Sequence, residues 1–304
     1  MNLRDLQYIV SLAEKRHFAH AAEACHVSQS TLSAQLKKVE EYLGVVLFDR
    51  SHRHAVPTPV GREIVACARQ ALREVGRIGE IAATSKDPMA CTLHLGVIPT
   101  LGPYFLPHVV VSVRRLYPNL RIILHERPTA SLLDQLRTGA LDVALLALPV
   151  PTSGFEMRPL FREEFVVALP KRHALAKRRS LTPADIGACK LLLLEEGHCL
   201  RDQALEICRT AAVHSEDTQA SSLETVRQMV ALNVGCTLLP RLAADAVPTR
   251  LRNGAIAIRP FAAPVPSRTI ALIWRRQFSR RETLRRLADA LEDYLPAGVL
   301  PMDS

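Results

Sequence analysis

The sequence predicts an α/β protein in two parts: an N-terminal winged helix-turn-helix continued by a long linker helix, then a larger two-lobed α/β domain. Three observations carry this. Residues 1–60 show helical periodicities separated by very short breaks. Residues 61–84 carry apolar positions spaced by alternating fours and threes. Beyond residue 90, strand-like and helix-like segments alternate almost to the C-terminus. The expected boundaries are a helix-turn-helix domain over 1–60, a linker helix over 61–84, a hinge over 85–90 and a second domain over 91–304. Within the second domain, lobe I takes about 91–163 and 268–304, and lobe II about 164–267.

In the first domain, Leu3, Leu6, Ile9, Val10 and Ala13 recur at helical spacing and predict a helix that fades at Arg16-His17. A second short helix runs from Phe18 to about Cys25, with Ala19, Ala21 and Ala22 small enough for close helix approach. His26-Val27 makes a tight break and Ser28 is a good N-cap. The third helix then runs to Leu43, with Leu32, Leu36, Val39 and Leu43 facing inward, and Gly44 stops it. Two helices joined by so short a turn match the motif whose second helix enters the DNA major groove; a plain helical hairpin is the alternative. On that reading Gln29 bonds an adenine edge, and Ser28, Ser30, Thr31, Ser33 and Gln35 offer short donors and acceptors. Lys37 and Lys38 reach phosphates.

Val45–Phe48 and Val56-Pro57 flank a basic tip, which predicts a β-wing with Arg50 and Arg53 against the DNA backbone or minor groove, or else a hairpin without contact. Thr58 caps the linker helix, with Pro59 in its first turn. The seam Ile64, Ala68, Ala71, Val75, Ile78 and Ala82 reads as a dimerisation helix, with a helix buried in its own chain as the alternative.

In the second domain, strands are expected at Leu93–Ile98, Arg121–Glu126, Val143–Leu148, Phe165–Leu169, Leu191–Leu194 and Thr269–Trp274. Helices are expected at Phe105–Leu116, Ser131–Arg137 and Arg281–Tyr294. Such alternation implies a largely parallel sheet with helices on both faces. Ligands in folds of this kind sit beyond the carboxyl ends of strands, which points to Pro99-Thr100, Thr129 and the region after Leu194.

Composition narrows the partners. At 304 residues, 48% hydrophobic and 23% charged, the chain is an ordinary globular protein. No apolar stretch approaches the roughly 18 residues of a membrane span, and no secretory signal opens the chain, so a cytoplasmic protein without a membrane partner is expected. The net charge of +9 is a poor guide to DNA, because residues 1–60 hold seven Lys/Arg against six Asp/Glu. Seven scattered cysteines, with no C-x-x-C pair and no zinc spacing, argue against a disulfide framework and against a metal or other cofactor.

The segment Asn2 to about Gly61, through Phe18-Ala19-His20-Ala21-Ala22, Val27-Ser28-Gln29-Ser30-Thr31-Leu32-Ser33 and Gly44-Val45-Val46-Leu47-Phe48-Asp49-Arg50, closely resembles the N-terminal domain of LysR-type regulators. That resemblance implies a second domain with the two-lobed, type 2 periplasmic-binding-protein-like fold. Gly96–Tyr104, Ser221–Thr225 and above all Gly197-His198-Cys199-Leu200-Arg201-Asp202 with a second cysteine at 208 resemble the peroxide-sensing members of that family. The resemblance implies a regulator of oxidative-stress genes, activator and repressor, that is not an enzyme. Its partners would be double-stranded promoter DNA, hydrogen peroxide as effector, RNA polymerase, and further copies of itself as a dimer of dimers. It implies Cys199 as the peroxide-reactive residue, Cys208 as its disulfide partner, and Thr100, Thr129, His198, Asp202 and Arg268 around the peroxide. The remaining cysteines are expected to be buried thiols. A thiol peroxidase, or a regulator answering an organic metabolite, are the alternatives.

Cys199 also stands where a strand ends and a helix begins. The helix N-terminus, Arg201 and a protonated His198 would each favour its thiolate, and Asp202 would oppose it. Leu200, Ala204, Leu205 and Ile207 make 199–208 at least partly helical. A disulfide across nine helical residues, a rise of about 13.5 Å, requires that stretch to unwind.

Overall fold

The computed structural model describes residues 1–49, 54–84, 87–186, 189–208, 219–248 and 254–302. They form two compact units, Met1–Asp87 with Thr138–Ala140, and Pro88–Arg137 with Leu141–Ser304.

The first unit begins with α1 (Leu3–Lys15), whose capping box pairs Asn2 with Asp5 and which ends at Arg16 in the left-handed conformation. Its buried face is Asp5, Tyr8, Ile9 and Leu12. Leu3, in the first turn, is exposed. α2 (Phe18–Ala24) and α3 (Gln29–Leu43) follow, separated by His26 at positive φ. Ser28 caps α3 by accepting from the Thr31 N–H, and Gly44, at φ 69°, closes it. Leu32, Leu36 and Val39 are buried against α1 and α2, and Leu43 packs at the margin. β1 (Phe48–Asp49) pairs antiparallel with β2 (Val56–Pro57); Arg50 and Arg53 lie outside the described residues. α4 (Pro59–Thr84) starts where Thr58 Oγ1 accepts from the Gly61 N–H at 2.9 Å.

The expected seam on α4 is not one continuous surface. Ile64 and Ala68 pack into the first unit's own core, with Ala68 3% exposed, because the start of α4 lies along α1. Further on, Val75 is 41% and Ile78 67% exposed, and Ala71 is half-buried. The side chain of Ala82 lies outside the described residues.

The second unit opens with β3 (Thr92–Val97), α5 (Gly102–Leu116), β4 (Arg121–Glu126), α6 (Thr129–Thr138) and β5 (Val143–Ala147). β3 pairs in parallel with both β4 and β5. β6 (Phe155–Pro170) then runs through both lobes as one strand. Lobe II adds α7 (Pro183–Ile186), β7 (Leu193–Leu194), α8 (Cys199–Ile207), β8 (Gln219–Ala220), α9 (Leu223–Ala231), β9 (Thr237–Pro240), α10 (Arg241–Asp245) and β10 (Ile256–Pro260). The chain returns through β11 (Ser267–Arg275) to α12 (Arg281–Asp293) and β12 (Leu300–Pro301).

The sheet is mixed rather than largely parallel. Its order β10-β6-β11-β5-β3-β4 contains antiparallel β11–β5, β11–β6 and β10–β6 pairs, and β9 also joins β6 antiparallel. The alternation of strand and helix signals breaks after β5 and resumes in lobe II. β6 follows β5 without an intervening helix and runs parallel to it, and β11, returning from lobe II, lies between them antiparallel to both. The length of β6 divides the unit: Phe155, Leu160 and Phe161 lie in one hydrophobic core, and Phe165 to Leu169 in a second.

Candidate functional site

On the first unit, the N-terminal turn of α3 presents Ser28, Gln29, Ser30 and Thr31 to solvent, and Ser33 is half-buried behind them. The Ser28 hydroxyl lies 2.9 Å from that of Ser30 and 2.7 Å from that of Thr31, so the capping residue also orders its neighbours. Gln35, expected to face DNA, donates instead to the buried Asp5 carboxylate at 2.9 Å and ties α3 to α1. Lys37 and Lys38 are exposed, with Lys37 3.9 Å from Glu41.

On the second unit, α8 carries the cysteine pair. β7 ends at Leu194, and Gly197, at φ +94°, makes the sharp entry to the helix, a backbone region side chains rarely adopt. His198 is the N-cap residue and is buried; its Nε2 stands 4.0 Å from the Glu195 carboxylate. Cys199 is the first helical residue, half-buried, and packs against the core of lobe I. Leu200, Ala204 and Cys208, each four residues on, form the stripe that α8 buries in the core of lobe II. Burial, with Cys189 nearby, pushes the Cys208 thiol up to about 11, so it rests protonated. Arg201 donates to the Leu194 carbonyl at 3.1 Å. Asp202 is exposed.

Thr100 and Arg268 meet. Arg268 and Glu163 are cross-strand partners on β11 and β6, and their side chains form a fully buried ion pair, Nε to Oε2 at 2.9 Å and Nη2 to the same oxygen at 2.8 Å. The other guanidinium contacts go to Thr100: Nη1 donates to its hydroxyl and Nη2 to its carbonyl, both at 3.0 Å. Glu163 Oε1 accepts from the Leu242 N–H at 2.9 Å. Arg268 thus fixes Thr100, whose hydroxyl oxygen accepts while its hydrogen stays available for a ligand. Thr129 opens α6, and its buried Oγ1 has no hydrogen-bond partner among the described residues; the same holds for Gln203 Oε1 on α8. Buried polar atoms are rarely left unpaired, so these two are candidate contacts for a small polar ligand.

Glu163 and Gln203 escaped sequence reasoning. Arg162-Glu163-Glu164 reads as a solvated charge run, and its central residue is buried where β6 pairs with β11, opposite Arg268. Of the remaining cysteines, Cys91, Cys189 and Cys236 are buried, as expected, but Cys25 is half-buried and Cys67 exposed, since Cys67 lies on the outer face of α4.

Comparison with known proteins matches residues 3–62 to the bacterial regulatory helix-turn-helix protein, lysR family, and residues 86–296 to the LysR substrate binding domain. The DNA-binding transcriptional dual regulator OxyR of Escherichia coli is 45% identical over 293 residues, covering 96% of this chain and 95% of that protein. Full-length OxyR of Pseudomonas aeruginosa, solved as a cysteine-to-aspartate form, superposes with a TM-score of 0.77 at 41% identity, covering 98% of this chain and 99% of that one. A hydrogen-peroxide-bound cysteine-to-serine mutant of Corynebacterium glutamicum OxyR superposes with a TM-score of 0.67 at 34% identity, covering 96% and 92%.

Proposed function

The chain belongs to the LysR family of bacterial helix-turn-helix regulators, and from that membership we propose that it is a promoter-binding transcription regulator switched by hydrogen peroxide. The observation that carries this reading is likeness to OxyR proteins over nearly the whole chain, together with a half-buried cysteine at the start of α8.

The exposed turn Ser28–Thr31 reads base edges, and Lys37, Lys38, Arg50 and Arg53 neutralise backbone phosphates. Peroxide is held by Thr100 and Thr129, with Arg268 positioning Thr100 rather than touching the oxidant. His198 and Asp202 border Cys199. The Cys199 thiolate attacks one peroxide oxygen, the O–O bond breaks, and the departing hydroxide takes a proton to leave as water. The resulting sulfenic acid condenses with the Cys208 thiol, forming the S–S bond and releasing a second water. Orphaned Thr129 Oγ1 and Gln203 Oε1 support a polar occupant.

The exposed apolar end of α4, Val75 and Ile78, supports a dimer, and a second two-fold contact through the larger domain makes a dimer of dimers. RNA polymerase at the promoter and the cytoplasm as compartment complete the reading. Among the described residues no helix is long and apolar enough to cross a membrane. The test is a promoter-reporter assay: Cys199→Ser should abolish the peroxide response, and an unchanged response in that variant would reject the reading.

A further inference from the structure

Lobe II buries more sulfur than the Cys199–Cys208 pair uses. Cys189, Cys208 and Cys236 are 4%, 0% and 1% exposed and share one hydrophobic core, whereas Cys91 lies in the other. The backbone brings two of them together. Leu191 and Cys236 form a parallel bridge in which the Cys236 N–H donates to the Lys190 carbonyl at 2.9 Å and the Leu192 N–H to the Cys236 carbonyl at 2.8 Å. Cys189 stands two residues before that bridge, in the turn where its N–H donates to the Ile186 carbonyl at 2.9 Å, and so lies close to Cys236. The Cys189 and Cys236 thiols are near enough to influence each other's ionisation.

The surroundings make Cys189 the nucleophile of this pair. His173 Nε2 lies 3.8 Å from its sulfur, and His173 Nδ1 accepts from the Leu175 N–H at 3.2 Å. A neutral imidazole with Nδ1 accepting carries its hydrogen on Nε2, facing the sulfur. Cys189 is therefore offered the His173 N–H, with the Cys236 thiol beside it. The interaction between the thiols holds Cys189 down and Cys236 up, against the burial and the Asp185 charge that oppose the Cys189 thiolate. As a neutral thiol Cys189 donates to the Asp185 carbonyl, at 3.9 Å. Cys208 is close enough for charge on Cys189 to raise it.

We propose that Cys189 and Cys236 form a second redox-active dithiol, which draws the disulfide from Cys199–Cys208 by exchange at the Cys208 sulfur. This rests on the peroxide chemistry proposed above, which supplies the first disulfide. The Cys189 thiolate attacks the Cys208 sulfur; the Cys199–Cys208 bond breaks, and Cys199 leaves as a thiolate that takes up the proton Cys189 released. Cys236 then attacks the Cys189 sulfur of the Cys189–Cys208 intermediate, and its proton passes to the departing Cys208 thiolate. Two electrons move from one pair to the other, ending as a Cys189–Cys236 disulfide and a reduced Cys199 ready for a second peroxide. Burial dictates this order, because neither Cys189 nor Cys236 is exposed to an oxidant in solution.

The test is peroxide titration of the reduced full-length protein, with alkylation of remaining thiols and disulfide mapping by mass spectrometry. Excess peroxide should remove about four thiols per wild-type chain from the Cys199, Cys208, Cys189 and Cys236 set, and about two in Cys189→Ala, which stops at Cys199–Cys208. In Cys199→Ser, Cys189 and Cys236 should stay alkylatable. Wild-type protein that completes the Cys199–Cys208 link while both Cys189 and Cys236 remain alkylatable overturns the relay and leaves the peroxide reading intact. A Cys189–Cys236 link formed as fast in Cys199→Ser as in wild type also overturns it. Absence of any Cys199–Cys208 link would instead sink the peroxide reading on which the relay stands. The wild-type thiol count needs no variant to fold.

Discussion

Cys199 and Cys208 flank a single nine-residue helix and belong to different hydrophobic cores: Cys199 opens α8 against the core of lobe I, and Cys208 is buried at its other end in the core of lobe II. Nine residues of α-helix rise about 13.5 Å, whereas a disulfide needs Cα atoms within about 7 Å. Joining the two requires α8 to unwind and at least one sulfur to leave its core. A helix that is folded in one redox state and broken in the other is a bistable element, which is what a switch of dimer arrangement requires.

The buried pair of Arg268 and Glu163 gives a first prediction. Arg268→Ala leaves the Glu163 carboxylate uncompensated and frees Thr100, so the reduced protein should lose about 3–5 kcal/mol of stability. Urea unfolding of the second domain measures this, and an unchanged midpoint would show that the pair is not formed.

The cysteine helix and much of the helix-turn-helix were legible in the sequence because both are local. Ser28, Gly44, Thr58 and Pro59 announce helix ends through their own conformational preferences, and α8 shows its apolar stripe. The antiparallel placement of β11 between β5 and β6, the burial of Glu163 and the division of the α4 seam were not legible. Each depends on which distant strand or helix lies alongside, and no spacing within β6 or α4 encodes that.

DNA recognition yields two opposite outcomes on one helix. Gln29→Ala or Thr31→Ala should relax base preference by about 1–3 kcal/mol per lost contact and leave the fold intact. Gln35→Ala removes the bond to Asp5 and should lower stability by about 1 kcal/mol. Binding-site selection and thermal unfolding on the three proteins separate these outcomes; equal effects in all three would contradict the geometry.

On α4, Ile78→Glu should weaken self-association by light scattering while changing the stability of the fold by no more than about 0.5 kcal/mol. Ala68→Glu places a charge in the first unit's core and should destabilise that unit by at least about 2 kcal/mol. Association untouched by Ile78→Glu would remove α4 from the interface.

Alkali provides a fourth test. Burial raises Cys208 in the folded protein to about 11, above an unfolded thiol, so the folded state keeps a proton that the unfolded state has already released. The resulting stabilisation is fully present below the ordinary thiol range and is lost as pH rises through about 11. Denaturation of reduced wild type and Cys208→Ala at about pH 8 and about pH 10.5 should show the gap between them narrowing at the higher value; a constant gap would count against a buried, protonated Cys208.

The central claim is tested most directly by treating reduced full-length protein with excess peroxide, mapping its disulfides by mass spectrometry and following hydrogen exchange across residues 199–208. The expected result is an intramolecular Cys199–Cys208 bond accompanied by loss of protection along α8, with Cys208→Ser stopping at a Cys199 sulfenic acid. Peroxide that leaves Cys199 and Cys208 unlinked, or a linked protein whose α8 keeps its protection unchanged, would contradict it.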